Sequence, residues 1–229
     1  MRPLTNDKPK STLLINGKSI IEWQLRNLPS QYIKNIIIIV GYEAEQLKSH
    51  IKSLNIKENI KFIKNQKFIE TNCAFSLLKS KKYFNTNSII INCDLLFSIK
   101  TIKRLCQMRN NTIVCVRKND GFQTDLQKVY VKNDKIISWA LDLIENNAEI
   151  MGPVKISINH LKKITKYFES CTLDQQLKMH CFTLFSECLD FINYKPLFIN
   201  DTDWKEIDNK DDYMEAKRLI LDNKLKIKI

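Results

Sequence analysis

An aspartate follows a short aliphatic run near residue 90. Ile89, Ile90 and Ile91 form this run without alternation, which is typical of a strand in a parallel sheet covered on both faces. Asp94 stands where such a strand would leave the sheet, and open α/β sheets bind ligands beyond the carboxyl ends of their strands. A carboxylate there can hold a divalent metal against a nucleotide phosphate. Alternatively, Asp94 only begins a turn or caps the following helix.

Apolar runs and helical patterns alternate around this aspartate. They predict strands at 36–40, 60–63 and 89–91, and helices at 20–28, 43–54, 72–84 and 99–108. Such alternation at short intervals predicts an α/β fold with a mostly parallel, doubly wound, Rossmann-like sheet.

The pattern changes after residue 112. Strands are predicted at 112–116, 127–131, 136–139 and 150–157, helical structure at 159–191, a strand at 194–199 and a helix at 210–222. Asn133-Asp134 predicts a turn between two of the strands, and Gly152-Pro153 predicts an interruption of another. We therefore expect a single α/β domain over residues 1–229, with a small antiparallel insertion in its sheet.

Composition restricts the classes of partner. The chain has 229 residues, 44% of them hydrophobic, and its apolar runs are only about a strand long, so we expect no membrane span. The formal net charge is +12, but the lysines are spread over the whole chain rather than clustered among aromatic residues. We expect no nucleic acid partner, although a basic nucleic-acid binder stays an alternative. The charge also suits phosphorylated substrates.

Seven cysteines lie at irregular spacings, and no pair has the spacing of a zinc or redox motif. This usage favours reduced thiols and a cytoplasmic location. His180, Cys181 and Cys188 form either a metal cluster or part of the core, and their apolar helical surroundings favour the core.

Several short segments occur in a particular order. They are Pro3-Leu4-Thr5, Pro9-Lys10, Thr71-Asn72 with Phe75-Ser76-Leu77, Asn92-Cys93-Asp94, Glu149-Ile150-Met151-Gly152, and Trp204-Lys205-Glu206-Ile207-Asp208. Together they resemble the nucleotidyltransferases that join a nucleoside triphosphate to a phosphorylated sugar or alcohol. The resemblance covers the whole chain, and it is closest to the bacterial subgroup that includes phosphocholine cytidylyltransferases.

The resemblance implies the nucleotide-diphospho-sugar transferase fold and a Mg²⁺-dependent reaction that releases pyrophosphate. It implies CTP as the preferred nucleotide, and phosphocholine, a phosphonate or a sugar 1-phosphate as the acceptor. The implied catalytic residues are Lys10, Asp94 and Asp208, of which the two aspartates hold the metal. The implied binding residues are Asn72 and Ser76 for the nucleotide, and Glu149 and Gly152 for the acceptor.

Each of these residues also has a simpler interpretation. Lys10 is otherwise a solvated loop lysine, and Asn72 is otherwise the cap of the helix that follows it. Asp208 is otherwise a turn residue. Glu149 is otherwise a surface charge at a strand edge.

The chain departs from the family pattern at its start. Relatives begin with a hydrophobic strand and a Gly-x-Gly-x-Arg loop, which would align before Met1. We therefore expect either that the true start lies upstream or that the protein is a catalytically impaired remnant, acting as a binding or interaction protein.

Overall fold

Residues 3–108, 112–119 and 126–227 are described by the computed structural model of the chain. Their strands are β1 (Leu14–Ile15), β2 (Lys18–Ser19), β3 (Asn35–Val40), β4 (Asn59–Lys64), β5 (Ser88–Ile90), β6 (Leu95–Phe97), β7 (Thr112–Lys118), β8 (Lys128–Lys132), β9 (Lys135–Ala140), β10 (Ala148–Ile156), β11 (Tyr194–Phe198) and β12 (Trp204–Glu206). Their helices are α1 (Ile20–Arg26), α2 (Ala44–Ser53), α3 (Cys73–Leu78), α4 (Ile99–Gln107), α5 (Ile158–Ser170), α6 (Leu173–Lys178), α7 (Cys181–Ser186) and α8 (Lys210–Leu221). Within this part of the chain, no helix is both long and apolar enough for a bilayer crossing.

The chain divides into two compact units, each made of separate segments. The first comprises Met1–Lys64, Ile91–Gln107 and Asn200–Ile229, and the second comprises Asn65–Ile90 and Met108–Ile199. The α/β class predicted from the sequence is observed. That residues 1–229 act as one nucleotidyltransferase domain stays a prediction.

In the first unit, β3 and β4 form a parallel pair in which Asn35 lies opposite Asn59. Helix α2 packs on this pair through Leu47 and Ile51, which are buried among the strands' isoleucines. Strands β6 and β12 form a separate antiparallel pair. Helix α1 begins at the Ser19 cap, whose hydroxyl accepts the Glu22 N–H, as its sequence predicts.

In the second unit, a mixed six-stranded sheet has the order β11-β7-β10-β8-β9, and β5 also pairs with β10. The β11–β7 pair is parallel, whereas the partners of β10 are all antiparallel to it. Strands β8 and β9 are joined by Asn133 and Asp134, both with positive φ, which makes the predicted turn a tight hairpin.

Three predictions of local structure are corrected. The helix predicted at 72–84 ends as α3 at Leu78, and a separate 3-10 turn follows at Lys81–Tyr83. The helical stretch predicted at 159–191 consists of three helices, α5, α6 and α7. Helix α6 is separate from α5 because Thr172 and Gln175 form a capping box at its start. Strand β10 continues through Gly152-Pro153, so the predicted interruption is absent there. The register between β10 and β7 shifts at this point instead.

Candidate active site

The antiparallel pair of β6 and β12 brings two distant aspartates together. Asp94 immediately precedes β6. Asp208 is the second residue after β12, and Ile207 lies between them. The Ile207 N–H donates to the Asp94 carbonyl oxygen at 3.0 Å. This hydrogen bond continues the pairing of β6 with β12 as far as the two aspartates. Asp94 therefore does not end the strand predicted at 89–91: β5 stops at Ile90, and Asp94 introduces a further strand that the sequence did not predict.

Lys10 completes this group. It begins a 3-10 turn after Pro9, where the Thr12 N–H and hydroxyl both donate to the Pro9 carbonyl oxygen. Lys10 Nζ lies 3.0 Å from Asp94 Oδ2 and 2.9 Å from Asp208 Oδ1. Burial disfavours the ammonium, but the two carboxylates outweigh it and raise the pKa of Lys10 above its usual range. The three predicted catalytic residues thus meet at one point.

Glu206 is a member of this group that the sequence analysis did not assign. Carboxylate oxygens of Asp94, Glu206 and Asp208 lie within 4.8 Å of one another. Burial, followed by the charges of Asp94 and Asp208, raises the pKa of Glu206 to about 7. The signal was present in Glu206-Ile207-Asp208, because alternation in an extended segment puts both carboxylates on one side while Ile207 is buried.

These carboxylates fit a hard divalent cation. Mg²⁺ prefers oxygen ligands, and three carboxylates offer them here. Asp94 Oδ1 is buried and has no hydrogen-bond partner, so this oxygen still has an unused acceptor position. Within the described ranges, no other group of at least three histidine, cysteine or acidic side chains has such spacing. Cys181 and Cys188 lie instead in the core of the second unit, as their surroundings predicted.

Asp212 on α8 holds the backbone of the loop that carries Asp208. Asp212 Oδ2 accepts the N–H groups of Asp208 and Asn209 at 3.1 and 3.2 Å. Its other oxygen lies 3.0 Å from Lys205 Nζ, and Lys205 also contacts Glu215. The backbone at Asp208 and Asn209 is therefore held by hydrogen bonds to α8.

Gln24 on α1 does the same for the segment around Asp94. Its Nε2 donates to the carbonyl oxygens of Asn92 and Leu95, each at 2.7 Å. Gln24 and Leu95 are buried, so the Leu95 carbonyl depends on Gln24 for a hydrogen bond. No sequence pattern indicated this role, because a glutamine within an amphipathic helix is usually a surface residue.

The residues predicted to bind the nucleotide lie in the second unit. Asn72 caps α3, since its Oδ1 accepts the Cys73 N–H at 2.7 Å, and its Nδ2 lies 2.8 Å from His180 Nε2. Ser76 Oγ accepts from Asn65 Nδ2 at 3.0 Å. The capping role of Asn72 is therefore present, and the nucleotide-binding roles of both residues stay predictions.

The residues predicted to bind the acceptor lie on β10. Glu149 is fully buried, and its Oε2 lies 2.8 Å from Arg117 Nη2 on β7, so the alternative of a surface charge is wrong. Gly152 has φ of +100°, which a side chain would adopt only with strain, and it lies at the shift of register between β10 and β7. Their contribution to an acceptor pocket stays a prediction.

The chain matches one known protein family over most of its length. The family described as Domain of unknown function (DUF6564) matches residues 15–181. The chain belongs to this family. Because the DUF6564 description names no activity, the function has to be argued from more distant relatives and from the site.

Two curated relatives of this DUF6564 chain are cytidylyltransferases. Choline-phosphate cytidylyltransferase of Streptococcus pneumoniae is 35% identical over 94 residues, which are 41% of this chain and 39% of the length of that protein. CTP:phosphoglutamine cytidylyltransferase of Campylobacter jejuni is 24% identical, over 91% of this chain and 90% of that protein. The predicted relationship to nucleotidyltransferases, which are enzymes, is confirmed.

The fold is also that of solved nucleotidyltransferases. The inositol-1-phosphate CTP transferase from T. maritima superimposes with a TM-score of 0.80, covering 96% of this chain and 90% of that chain at 18% identity. At this identity the likeness shows the fold alone. The predicted nucleotide-diphospho-sugar transferase fold is confirmed.

Proposed function

We propose that this chain is a Mg²⁺-dependent nucleotidyltransferase that joins a nucleoside triphosphate, CTP by preference, to a phosphorylated small acceptor and releases pyrophosphate. The observation that carries the proposal is the meeting of the Lys10 ammonium with the carboxylates of Asp94 and Asp208. Such a cluster suits transfer at phosphorus, because these reactions depend on positioning and charge neutralisation more than on acid–base groups.

In the proposed reaction, an oxygen of the acceptor phosphate forms a bond to the α-phosphorus of the nucleotide. The bond from that phosphorus to the oxygen bridging to the β-phosphate breaks, and pyrophosphate leaves with its electron pair. Lys10 would neutralise charge on the phosphates as a point cation. Asp94, Glu206 and Asp208 would hold Mg²⁺, which when bound neutralises the triphosphate and orients it.

The choice of CTP rests on the names of the relatives. Two curated relatives are cytidylyltransferases, and one solved structure of the same fold is a CTP transferase. Their names include choline phosphate, phosphoglutamine and inositol 1-phosphate, all of which are phosphorylated small molecules. We propose phosphocholine, a phosphonate or a sugar 1-phosphate as the acceptor here.

The remaining parts of the proposal concern the binding residues and the compartment. Asn72 and Ser76 would contact the nucleotide, and Glu149 and Gly152 would shape the acceptor pocket. Arg117 neutralises the buried Glu149 carboxylate, so Glu149 would act by shaping the pocket rather than as a free charge. The seven cysteines, all within the described ranges, form no disulfide with one another, which supports a reducing, cytoplasmic location.

Pyrophosphate release tests the proposal. The purified chain would be incubated with Mg²⁺, each common nucleoside triphosphate, and a panel of phosphocholine, aminoethylphosphonate, inositol 1-phosphate and sugar 1-phosphates. We expect release with one nucleotide–acceptor pair and a loss of about a hundredfold or more in Asp94→Asn. Asp211→Asn is the matched control, because Asp211 is an exposed aspartate outside the cluster.

Two results would count against the enzyme. Release that is unchanged in Asp94→Asn would remove the cluster from the reaction. A folded chain that releases no pyrophosphate with any pair would favour the alternative, a catalytically impaired binding protein.

A further inference from the structure

Two cysteines that are far apart in sequence lie side by side in the second unit. Cys73 is the first residue of α3 and Cys181 is the first residue of α7. The Cys181 N–H donates to Cys73 Sγ at 3.0 Å, and the Cys181 thiol acts on the pKa of Cys73 as a further hydrogen-bond donor. The Cys73 sulfur therefore faces the first residue of α7.

Backbone hydrogen bonds hold the two cysteines in this arrangement. The segment before α7 runs beside the start of α3, where the Asn72 N–H donates to the Leu177 carbonyl at 2.8 Å and the Ala74 N–H donates to the Met179 carbonyl at 3.3 Å. The neighbouring side chains of Asn72 and His180 also meet at 2.8 Å. Main-chain hydrogen bonds thus hold the backbone of Cys181 against the start of α3, where Cys73 lies.

The two thiols differ in charge and in access. Cys73 is exposed, whereas Cys181 is buried in the core of the second unit. The hydrogen bond from the Cys181 thiol lowers the pKa of Cys73 to about 6 against the opposing effect of burial, and the Cys181 N–H and His180 add to this. The same hydrogen bond, together with burial, raises the pKa of Cys181 well above its usual value. An exposed thiolate therefore lies against a protonated thiol.

Cys171 in the same unit provides a contrast. It is partly exposed, but its S–H donates to the Tyr167 carbonyl oxygen at 3.4 Å, so this thiol acts as a donor. Burial and the charge of Glu187 raise the pKa of its thiol. Access alone therefore does not make a nucleophile here, and the partner thiol distinguishes Cys73.

We propose that Cys73 and Cys181 form a thiol–disulfide exchange site, in which Cys73 attacks small organic disulfides and Cys181 resolves the mixed disulfide. This site is independent of the proposed nucleotidyl transfer, because it needs neither the nucleotide nor the carboxylate cluster of the first unit.

The exchange has two balanced steps. The Cys73 thiolate attacks one sulfur of the small disulfide, so that a bond between Cys73 and that sulfur forms, the original S–S bond breaks and one small thiolate leaves. Cys181 then loses its proton to solvent and attacks the Cys73 sulfur, and the second small thiolate leaves. Two protein thiols are oxidised to one disulfide, and one small disulfide is reduced to two thiols.

Glutathione disulfide serves as the probe. The fully reduced protein would be incubated with it without other oxidants, and the products would be mapped by peptide mass spectrometry. We expect the intact chain to form a Cys73–Cys181 disulfide and to retain no glutathione. Cys181→Ala should retain one glutathione on Cys73, because the resolving thiol is gone. Cys73→Ala should react at least about tenfold more slowly, and Cys171→Ala should behave as the unaltered chain.

A second measurement needs no variant and so does not depend on the folding of Cys181→Ala. Limiting iodoacetamide should label Cys73 in the unaltered chain at least about tenfold faster than Cys171 near neutral pH. The proposal is overturned if Cys73 is labelled no faster than Cys171. It is equally overturned if the unaltered chain retains glutathione on Cys73, or if the new disulfide joins a different pair of cysteines.

Discussion

Lys10 Nζ lies 3.0 Å from Asp94 Oδ2, although 84 positions separate the two residues in sequence. The same ammonium lies 2.9 Å from Asp208 Oδ1. It therefore contacts the two carboxylates that are proposed to bind a metal cation. The ammonium and a cation therefore compete for the same negative charge when no substrate is present.

This competition gives a prediction for Lys10→Met, which keeps the length of the side chain and removes its charge. We expect Mn²⁺ to bind the substrate-free protein about tenfold more tightly, because neighbouring charges of this kind interact by a few kcal/mol. Pyrophosphate release should fall by about a hundredfold or more, since the phosphates lose their cation. Calorimetry measures the first effect, and Lys100→Met, an exposed lysine on α4, is the control. Tighter metal binding without loss of activity would contradict the role of Lys10 in the reaction.

Asp212 is predicted to act on the reaction through Asp208. Asp212→Ala removes the acceptor of the Asp208 and Asn209 N–H groups, so the backbone of the loop that carries Asp208 is no longer held by α8. We expect Mn²⁺ affinity and turnover to fall by about tenfold, with most of the loss restored in Asp212→Asn, which keeps an acceptor oxygen. Glu215→Ala is the control, because Glu215 contacts Lys205 and not the loop. Equal effects of the alanine and asparagine variants would argue against positioning.

Gln24→Leu tests the support of the Asp94 segment. The variant leaves the buried Leu95 carbonyl and the partly buried Asn92 carbonyl without the donor that Gln24 supplies. Each unpaired carbonyl costs about 1–3 kcal/mol, so we expect the free energy of unfolding to fall by about 2–4 kcal/mol. Urea denaturation measures this change. Gln46→Leu, which loses only a long contact at an exposed position, should be close to neutral.

The ion pair between Arg117 and Glu149 gives a prediction about stability. Arg117→Met leaves the Glu149 carboxylate buried without the guanidinium that lies 2.8 Å away. We expect a loss of about 3–5 kcal/mol in the free energy of unfolding, because removing one partner of a buried ion pair is costly. Adding Glu149→Gln to Arg117→Met should recover part of this loss, as a double-mutant cycle would measure. Additive losses would show that the two side chains do not depend on each other.

The reactivity of Cys73 gives a prediction about pH. Its pKa is lowered to about 6, so protonation of the thiolate begins only below neutral pH. The alkylation rate of Cys73 should therefore rise with pH through about 6 and then level off, because the thiolate is the reacting species. In the urea-unfolded chain, the same rate should keep rising to about pH 8–9, the usual range for a cysteine. Identical profiles in the folded and unfolded chains would contradict the hydrogen-bonded thiolate.

Several features were open to prediction from the sequence alone. The helical period predicted α2, the aliphatic run predicted β3, and Ser19 predicted the start of α1, because each of these signals acts within a few residues. The position of Asp94 after an aliphatic run indicated a metal ligand, and the resemblance to nucleotidyltransferases implied the roles of Lys10 and Asp208.

Only the tertiary structure decided which of these residues meet. Strands β6 and β12 have three residues each, too few for a periodic signal, yet their pairing over more than a hundred positions brings Asp94 to Asp208 and adds Glu206. Burial of Glu149 against Arg117 and the contact of Cys73 with Cys181 likewise depend on which segments pair. Local secondary structure depends on neighbouring residues, whereas the position of one segment against another depends on pairing and packing across the whole chain.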